Sequence, residues 1–339
     1  MTRWDWTWED RSHTARTPTE DPESAAEGHE AGSLPDRSLP APGNGPPPDG
    51  GQSPVFRRRR AGAGLALIAI VVLLVGEFNS HKGSGQARTP STKSHVARLT
   101  PSQADLAADA AKAEKKAVES VLAYTPFLRS GGSSGNEVAL TFDDGPGPYT
   151  QQVVAALDKL HTHATFFAIG SQEQYFSAGT VAEINAGDVV GDHTETHPMM
   201  ALLSAHDQYE QLFDQMAQIE VLGGKRPRLF RPPYGSFNAT TFKELHHLHL
   251  LMVLWSVDTG DYAVPGAATI VQRALEGAKP GAIILMHDGG GNRSETIAAL
   301  PAIVRGLRKR GLHPVTVPRL LLDDPPPHGL PLPTSLAGD

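Results

Sequence analysis

Val138-Ala139-Leu140-Thr141-Phe142 runs straight into Asp143-Asp144-Gly145-Pro146: an apolar stretch that stops at paired carboxylates and a turn. The same pattern recurs four times downstream. Val189-Val190 leads to Gly191-Asp192-His193-Thr194-Glu195-Thr196-His197-Pro198, and Leu229-Phe230 leads to Arg231-Pro232-Pro233-Tyr234-Gly235. Leu251 to Val257 ends at Asp258-Thr259-Gly260-Asp261-Tyr262, and Ala282 to Met286 ends at His287-Asp288. Longer amphipathic stretches separate these runs, so residues 137–320 read as a β/α domain. In a parallel barrel every strand C-terminus opens on one face. Five strands would then deliver Asp, His, Arg, Asp and His to a single rim. The span is short beside the ~250 residues of a full eight-fold barrel, so the expected fold is α/β, a distorted or incomplete (β/α) barrel.

Outward from that domain the composition changes. Residues 79–136 read as a linker, polar from 79 to 101 and closed by the Gly/Ser-rich stretch 129–136. Within it, residues 102–124 are rich in Ala, Lys and Glu, which predicts a helix, a stalk or a lid on the next domain. Residues 61–78 form an apolar span closed by Glu77-Phe78. Eighteen helical residues reach about 27 Å, close to a hydrocarbon core. Arg57 to Arg60 flank its N-terminal side, so the positive-inside rule predicts a signal-anchor helix with the N-terminus cytoplasmic and the catalytic domain extracytoplasmic, a single-pass protein of the cell membrane. Residues 1–60 hold nine Pro and six Gly and read as disordered, as does the Pro-rich tail 321–339. The Trp4-Asp5-Trp6-Thr7-Trp8 run reads as an aromatic cluster within that first segment. The 339-residue chain has no cysteine, which excludes a disulfide scaffold, a thiolate metal site and a cysteine nucleophile. A formal net charge of −7 argues against a nucleic-acid partner.

The chemistry therefore falls to His, Asp, Glu, Ser or Lys. His193 and His197 are four apart, which on a helical turn sets both imidazoles on one side. Two imidazoles and one carboxylate leave the fourth position of a tetrahedral Zn²⁺ open, the arrangement of a hydrolytic site. The Asp143-Asp144 pair is the natural carboxylate source: one can bind metal while the other takes a proton from the attacking water. Spacing alone does not separate such a pair from two surface histidines. His246-His247-x-His249 reads as a solvated helix end, His161 and His163 as surface or turn residues, and His206 as a helix residue.

In order and in strand context the five clusters resemble those of the polysaccharide deacetylase (NodB-like) group, carbohydrate esterase family 4. The likeness covers about residues 137–320. It implies Asp143 as general base and Asp144, His193 and His197 as ligands of one divalent metal ion, Zn²⁺ or alternatively Co²⁺ or another divalent ion. It also implies that Arg231 pairs with Asp143, that the Tyr234 backbone N–H holds the oxyanion, and that His287 protonates the leaving amine, tuned by Asp261. Leu285 would line the acetyl-methyl pocket. The family's fourth motif usually ends in Asp-Trp, whereas Tyr262 follows Asp261 here, a smaller aromatic wall with an added hydroxyl.

The implied activity is hydrolysis of N-acetyl groups on N-acetylglucosamine-type residues of peptidoglycan or a chitin-like or other extracytoplasmic glycan. An O-acetyl esterase of the xylan type on the same site is one alternative, and a catalytically silent glycan-binding module is the other.

Overall fold

The computed structural model describes residues 103–329. The expectations for 1–60, for the apolar span 61–78, for the linker up to residue 102 and for the tail beyond 329 lie outside the described residues. Among the described residues no helix is long and apolar enough to cross a membrane.

The chain begins with α1 (Gln103–Leu122), β1 (Phe127–Leu128), β2 (Glu137–Gly145), α2 (Thr150–Lys159), β3 (Thr165–Ala168), α3 (Gly170–Ala186) and β4 (Val189–Asp192). It continues through α4 (Ala205–Val221), β5 (Leu229–Phe230), α5 (Ala239–Leu248), β6 (Leu251–Val253), β7 (Val257–Asp258) and α6 (Ala267–Gly277). It ends with β8 (Ile283–His287), α7 (Ser294–Lys309), β9 (His313–Val315) and α8 (Val317–Asp323). The strands form one curled sheet in the order β1-β6-β5-β4-β3-β2-β8-β7, with β9 beside the start of β2. Every pairing between these strands is parallel. With helices in the crossovers, this is the expected distorted (β/α) barrel.

Strand alternation sorts two cores. Val138, Leu140 and Phe142 of β2, with Ile284 and Met286 of β8, face the helices and pack with Val153, Leu157, Ile270, Leu300 and Ile303. The residues of opposite parity, Ala139 and Ile283, face inward with Phe167, Leu229, Leu251 and Val253. Val118 and Val121 of α1 and Val317, Leu320 and Leu321 of α8 pack on this inner cluster. Ala139, Leu229, Leu251 and Ile283 sit near the starts of their strands. Thus α1 and α8 close the N-terminal end of the barrel, and the strand C-termini are left for the polar clusters.

Three sequence expectations change. Residues 103–136 are not linker: α1 docks through Val118 and Val121, and β1 pairs with β6. The helix is neither stalk nor lid, because it lies at the barrel end away from the strand C-termini. Its Ala-rich surface concealed a docking face of Val118 and Val121 flanked by Ala117 and Leu122. The tail is ordered as far as the description runs. Asp324 Oδ2 accepts the Ser134 and Gly135 N–H groups at 2.7 Å each. Tyr124 donates its hydroxyl to the Pro326 carbonyl at 2.6 Å and stacks on His328 at 3.8 Å between ring centroids. Directional bonds hold what apolar burial could not. Finally, Leu251 to Val257 is two strands, because the chain leaves β5 and β1 to join β8; the Leu254 N–H still reaches Leu128 O, whereas that of Ser256 reaches Ile283 O.

Candidate active site

Successive strand residues ordinarily point to opposite faces, so Asp143 and Asp144 should diverge. They do not, because β2 carries a bulge. Asp143 pairs with Phe167 and Gly145 with Ala168, which leaves Asp144 as an extra residue with φ 68°. Asp tolerates that left-handed backbone better than most residues. Both carboxylates consequently approach one imidazole nitrogen: His193 Nε2 is 3.8 Å from Asp143 Oδ2 and 3.5 Å from Asp144 Oδ1. The chain after β8 lies directly on the bulge. A Cβ at Gly289 would stand 1.9 Å from the Asp144 carbonyl oxygen, so glycine is required there.

His193 and His197 are not on a helical turn. They lie in the loop after β4, where Thr194 (φ 72°) and His197 (φ 60°) are left-handed. Local bonds replace those of a helix: the Thr194 N–H donates to Asp192 Oδ1 at 2.7 Å, and the His197 N–H to Thr194 Oγ1 at 2.9 Å. This loop brings the ring centroids to 4.9 Å. His193 Nδ1 is tied to the Arg231 carbonyl at 2.7 Å and His197 Nδ1 to the Tyr234 hydroxyl at 3.1 Å, which turns both Nε2 atoms inward. His197 Nε2 is 3.0 Å from Asp144 Oδ1. Donor atoms of Asp144, His193 and His197 all lie within 4.8 Å of one another. A tetrahedral ion at 2.0–2.1 Å from its ligands would separate them by about 3.3 Å, so this set fits a Zn²⁺-like ion. Burial opposes ionisation of Asp144, but hydrogen bonds from the two imidazoles, with the charges of His193 and His287, hold its carboxyl well below the usual range.

Arg231 follows β5 and is fully buried. Its Nη1 donates to Asp143 Oδ1 at 2.8 Å and to Thr141 Oγ1 at 2.9 Å. Nε and Nη2 donate to the carbonyls of Val253 and Leu254, at the gap where β6 gives way to β7. Its guanidinium also lies 4.3 Å from the centroid of the Phe167 ring. The side chain closes the sheet and aims the Asp143 carboxylate.

His287 is paired in register with Asp143 across the β2–β8 ladder, and so faces the same way. Asp261 Oδ1 bonds its Nδ1 at 2.7 Å, and Asp261 Oδ2 accepts its backbone N–H at 2.9 Å and the Thr296 hydroxyl at 2.7 Å. Burial alone would push the His287 pKa down. The Asp261 bond and charge, reinforced by Asp143 and Asp144, outweigh it and raise the pKa to about 9. Leu285 is buried two residues earlier, on the same face of β8. Tyr234 (58% exposed, φ 58°) and Tyr262 (55% exposed) are on the rim, the latter edge-on to His287 at 5.5 Å between centroids. The structure thus gathers Asp143, Asp144, His193, His197 and Arg231 at one place, with His287 on the adjoining strand β8 and its partner Asp261 in the turn after β7.

Two supporting residues escaped the sequence reading. Thr141 alternates with Asp143 and could have been found from that period. Thr296 lies on α7, where no local signal points to Asp261. The histidines set aside are elsewhere: His246, His247 and His249 are exposed at the end of α5, and His206 is exposed on α4.

A family model described as polysaccharide deacetylase matches residues 130–253. A peptidoglycan-N-acetylglucosamine deacetylase of Bacillus cereus is 39% identical over 195 residues, 54% of this chain and 87% of that protein. The peptidoglycan-N-acetylmuramic acid deacetylase PdaC of Bacillus subtilis is 36% identical over 184 residues, but the match spans only 38% of its length. Among solved structures, the Bc1960 peptidoglycan N-acetylglucosamine deacetylase superposes with a TM-score of 0.57 at 33% identity, covering 59% of this chain and 94% of that one.

Proposed function

Because the chain belongs to the polysaccharide deacetylase family, hydrolases of carbon–nitrogen bonds other than peptide bonds, we propose that it removes N-acetyl groups from GlcNAc-type residues of peptidoglycan or another extracytoplasmic glycan. The observation that carries this reading is the approach of both Asp143 and Asp144 to His193 Nε2, with Arg231 fixed on Asp143. The family generally uses a divalent metal, and Asp144, His193 and His197 would hold it. When bound, Zn²⁺ or Co²⁺ polarises the acetyl carbonyl and lowers the pKa of the attacking water.

The chain's own groups divide the remaining work. Asp143, aimed by Arg231, takes the proton of the attacking water. The Tyr234 N–H donates to the oxyanion that forms on the acetyl carbon. His287, whose Nδ1 is committed to Asp261, presents Nε2 and protonates the leaving nitrogen. Leu285 lines the space for the acetyl methyl, and Tyr262 offers an aromatic wall to the sugar.

The test uses the full chain on GlcNAc oligomers and peptidoglycan, with and without Zn²⁺, scoring free amine and acetate mass loss beside an O-acetyl ester. Metal-dependent amine release is the expected result. Ester cleavage without amine release would make it an O-acetyl esterase, and neither product would make it a binding module.

We also propose, from Arg57 to Arg60 and the apolar span 61–78, that the domain is extracytoplasmic and membrane-tethered. Protease added to intact cells should cut it; cleavage in lysate alone would reverse the orientation.

A further inference from the structure

Two residues of the rim hold left-handed backbones and are bonded to each other through their side chains. His197 (φ 60°) belongs to the loop after β4 and Tyr234 (φ 58°) to the turn after β5. That backbone is uncommon for histidine and more so for tyrosine, and it persists where the surroundings over-determine it. Main-chain bonds do part of this. The His197 N–H donates to Thr194 Oγ1 at 2.9 Å, and the Gly235 and Ser236 N–H groups donate to the Pro232 and Pro233 carbonyls at 3.0 and 2.9 Å. The side chains add to it: the Tyr234 hydroxyl lies 3.1 Å from His197 Nδ1, and the two rings meet edge to face at 4.6 Å between centroids.

The companion histidine is held differently. His193 Nδ1 is tied to the main chain, at the Arg231 carbonyl, and its side chain is 3% exposed against 21% for His197. The orientation of the His197 ring therefore rests on a phenol at the rim. Once Nε2 serves as a ligand, the ring hydrogen sits on Nδ1, so Nδ1 donates and the phenol oxygen accepts. Partners of this kind fix a ligand ring, and removing one ordinarily weakens metal binding about 10–100-fold.

Tyr234 also carries the backbone N–H assigned above to the oxyanion. A side chain tied to His197 and an N–H on the same Cα cannot be set independently. Building on the proposed ligand set and oxyanion donor, we propose that the Tyr234 hydroxyl is a positioning group that couples the two. By holding His197 it tightens the ion, and by anchoring its own left-handed residue it fixes the oxyanion donor. Two further bonds join the same segments: the Arg231 carbonyl with His193, and the Ala201 N–H with Ser236 Oγ at 3.2 Å. Loss of the hydroxyl thus loosens the clasp without detaching the loops.

Tyr234→Phe in the full chain tests the coupling. It keeps the ring, and the residue is 58% exposed, so the core is spared. Zn²⁺ affinity, read by calorimetric titration, should fall at least about tenfold. With the ion restored by excess Zn²⁺, kcat on a GlcNAc oligomer should still be about fivefold lower, the loss of one hydrogen bond's worth of anchoring. KM should stay within about twofold, because the oxyanion bond is made only in the transition state. Tyr262→Phe is the control: it too removes a rim hydroxyl, but its ring meets His287, and Zn²⁺ affinity should stay within about twofold of wild type. Unchanged Zn²⁺ affinity in Tyr234→Phe, an equal loss in Tyr262→Phe, or full recovery of kcat at saturating Zn²⁺ would overturn the proposal. A wild type that binds Zn²⁺ without releasing amine would sink the deacetylase reading instead, since the Zn²⁺ comparison is scored without turnover.

Discussion

Carboxylate meets imidazole twice at the rim of this barrel, with opposite outcomes. At the His193 loop, backbone and Tyr234 groups hold both Nδ1 atoms, and two Nε2 atoms converge on a single oxygen of Asp144. At β8 the carboxylate holds Nδ1 itself, and its other oxygen is filled by the His287 N–H and the Thr296 hydroxyl. The first arrangement brings two ring nitrogens onto one carboxylate oxygen, a donor set that a cation can join. The second is saturated, so its carboxylate can only orient and charge the ring. In the proposed mechanism, which ring nitrogen the surroundings occupy divides the same two residue types into ligand and acid.

Substitution of the histidines should separate the two systems most sharply. His193→Ala or His197→Ala should remove both bound metal and turnover, whereas His287→Ala should keep the metal and lose roughly 10²–10⁴-fold in rate. Elemental analysis beside deacetylation rates reads both, and full metal occupancy in His193→Ala would dissolve the contrast.

The adjacent carboxylates come next. Asp143→Asn should retain the metal and lose roughly 10²–10⁴-fold, while Asp144→Asn should weaken metal binding and recover partly at high metal concentration. A reversed pattern in metal titration would exchange the two roles.

A smaller change separates orientation from charge at Asp261. Below about pH 9 His287 keeps its proton and can act as an acid, and above it that capacity is lost. Asp261→Asn removes the group that raises this pKa, so the alkaline limb of the kcat/KM profile should move toward the ordinary ~6.5 of histidine. An unmoved limb would assign it to another group. The same linkage gives a stability profile: the pair's contribution is complete below about pH 6.5 and fades as pH rises through about 9.

The mildest test is Thr296→Val, which keeps shape and deletes one bond to Asp261. A loss of about 1 kcal/mol, roughly fivefold in rate, is expected with metal affinity unchanged. Altered metal affinity would mean that the two systems are coupled.

Much of this was legible in the chain itself. Period-two alternation in β2 and β8 separates Val138, Leu140, Ile284 and Met286 from Thr141, Asp143, Leu285 and His287, and so predicts both the helix-facing core and the rim. What stayed hidden was set by backbone or by distance. Nothing in the residues around Asp144 announces a bulge. The left-handed Thr194 and His197 defeat the helical reading of an i, i+4 pair. Thr296 and Asp324 act on partners far along the chain, through bonds that carry no local pattern. The break within Leu251 to Val257 carried no local signal either, because the gap between β6 and β7 is filled by the side chain of Arg231, which follows β5.

The bulge in β2 also bears on mechanical tolerance. The proposed base and the proposed ligand are consecutive residues, so a strand that slides, tilts or breathes carries both carboxylates together. Motions that would spread a site assembled from separate loops become, here, a shared translation that leaves their spacing unchanged. Such a hinge-free mount confines positional error to the histidine loop, where random loop mutations should alter metal retention more readily than the reach of the base.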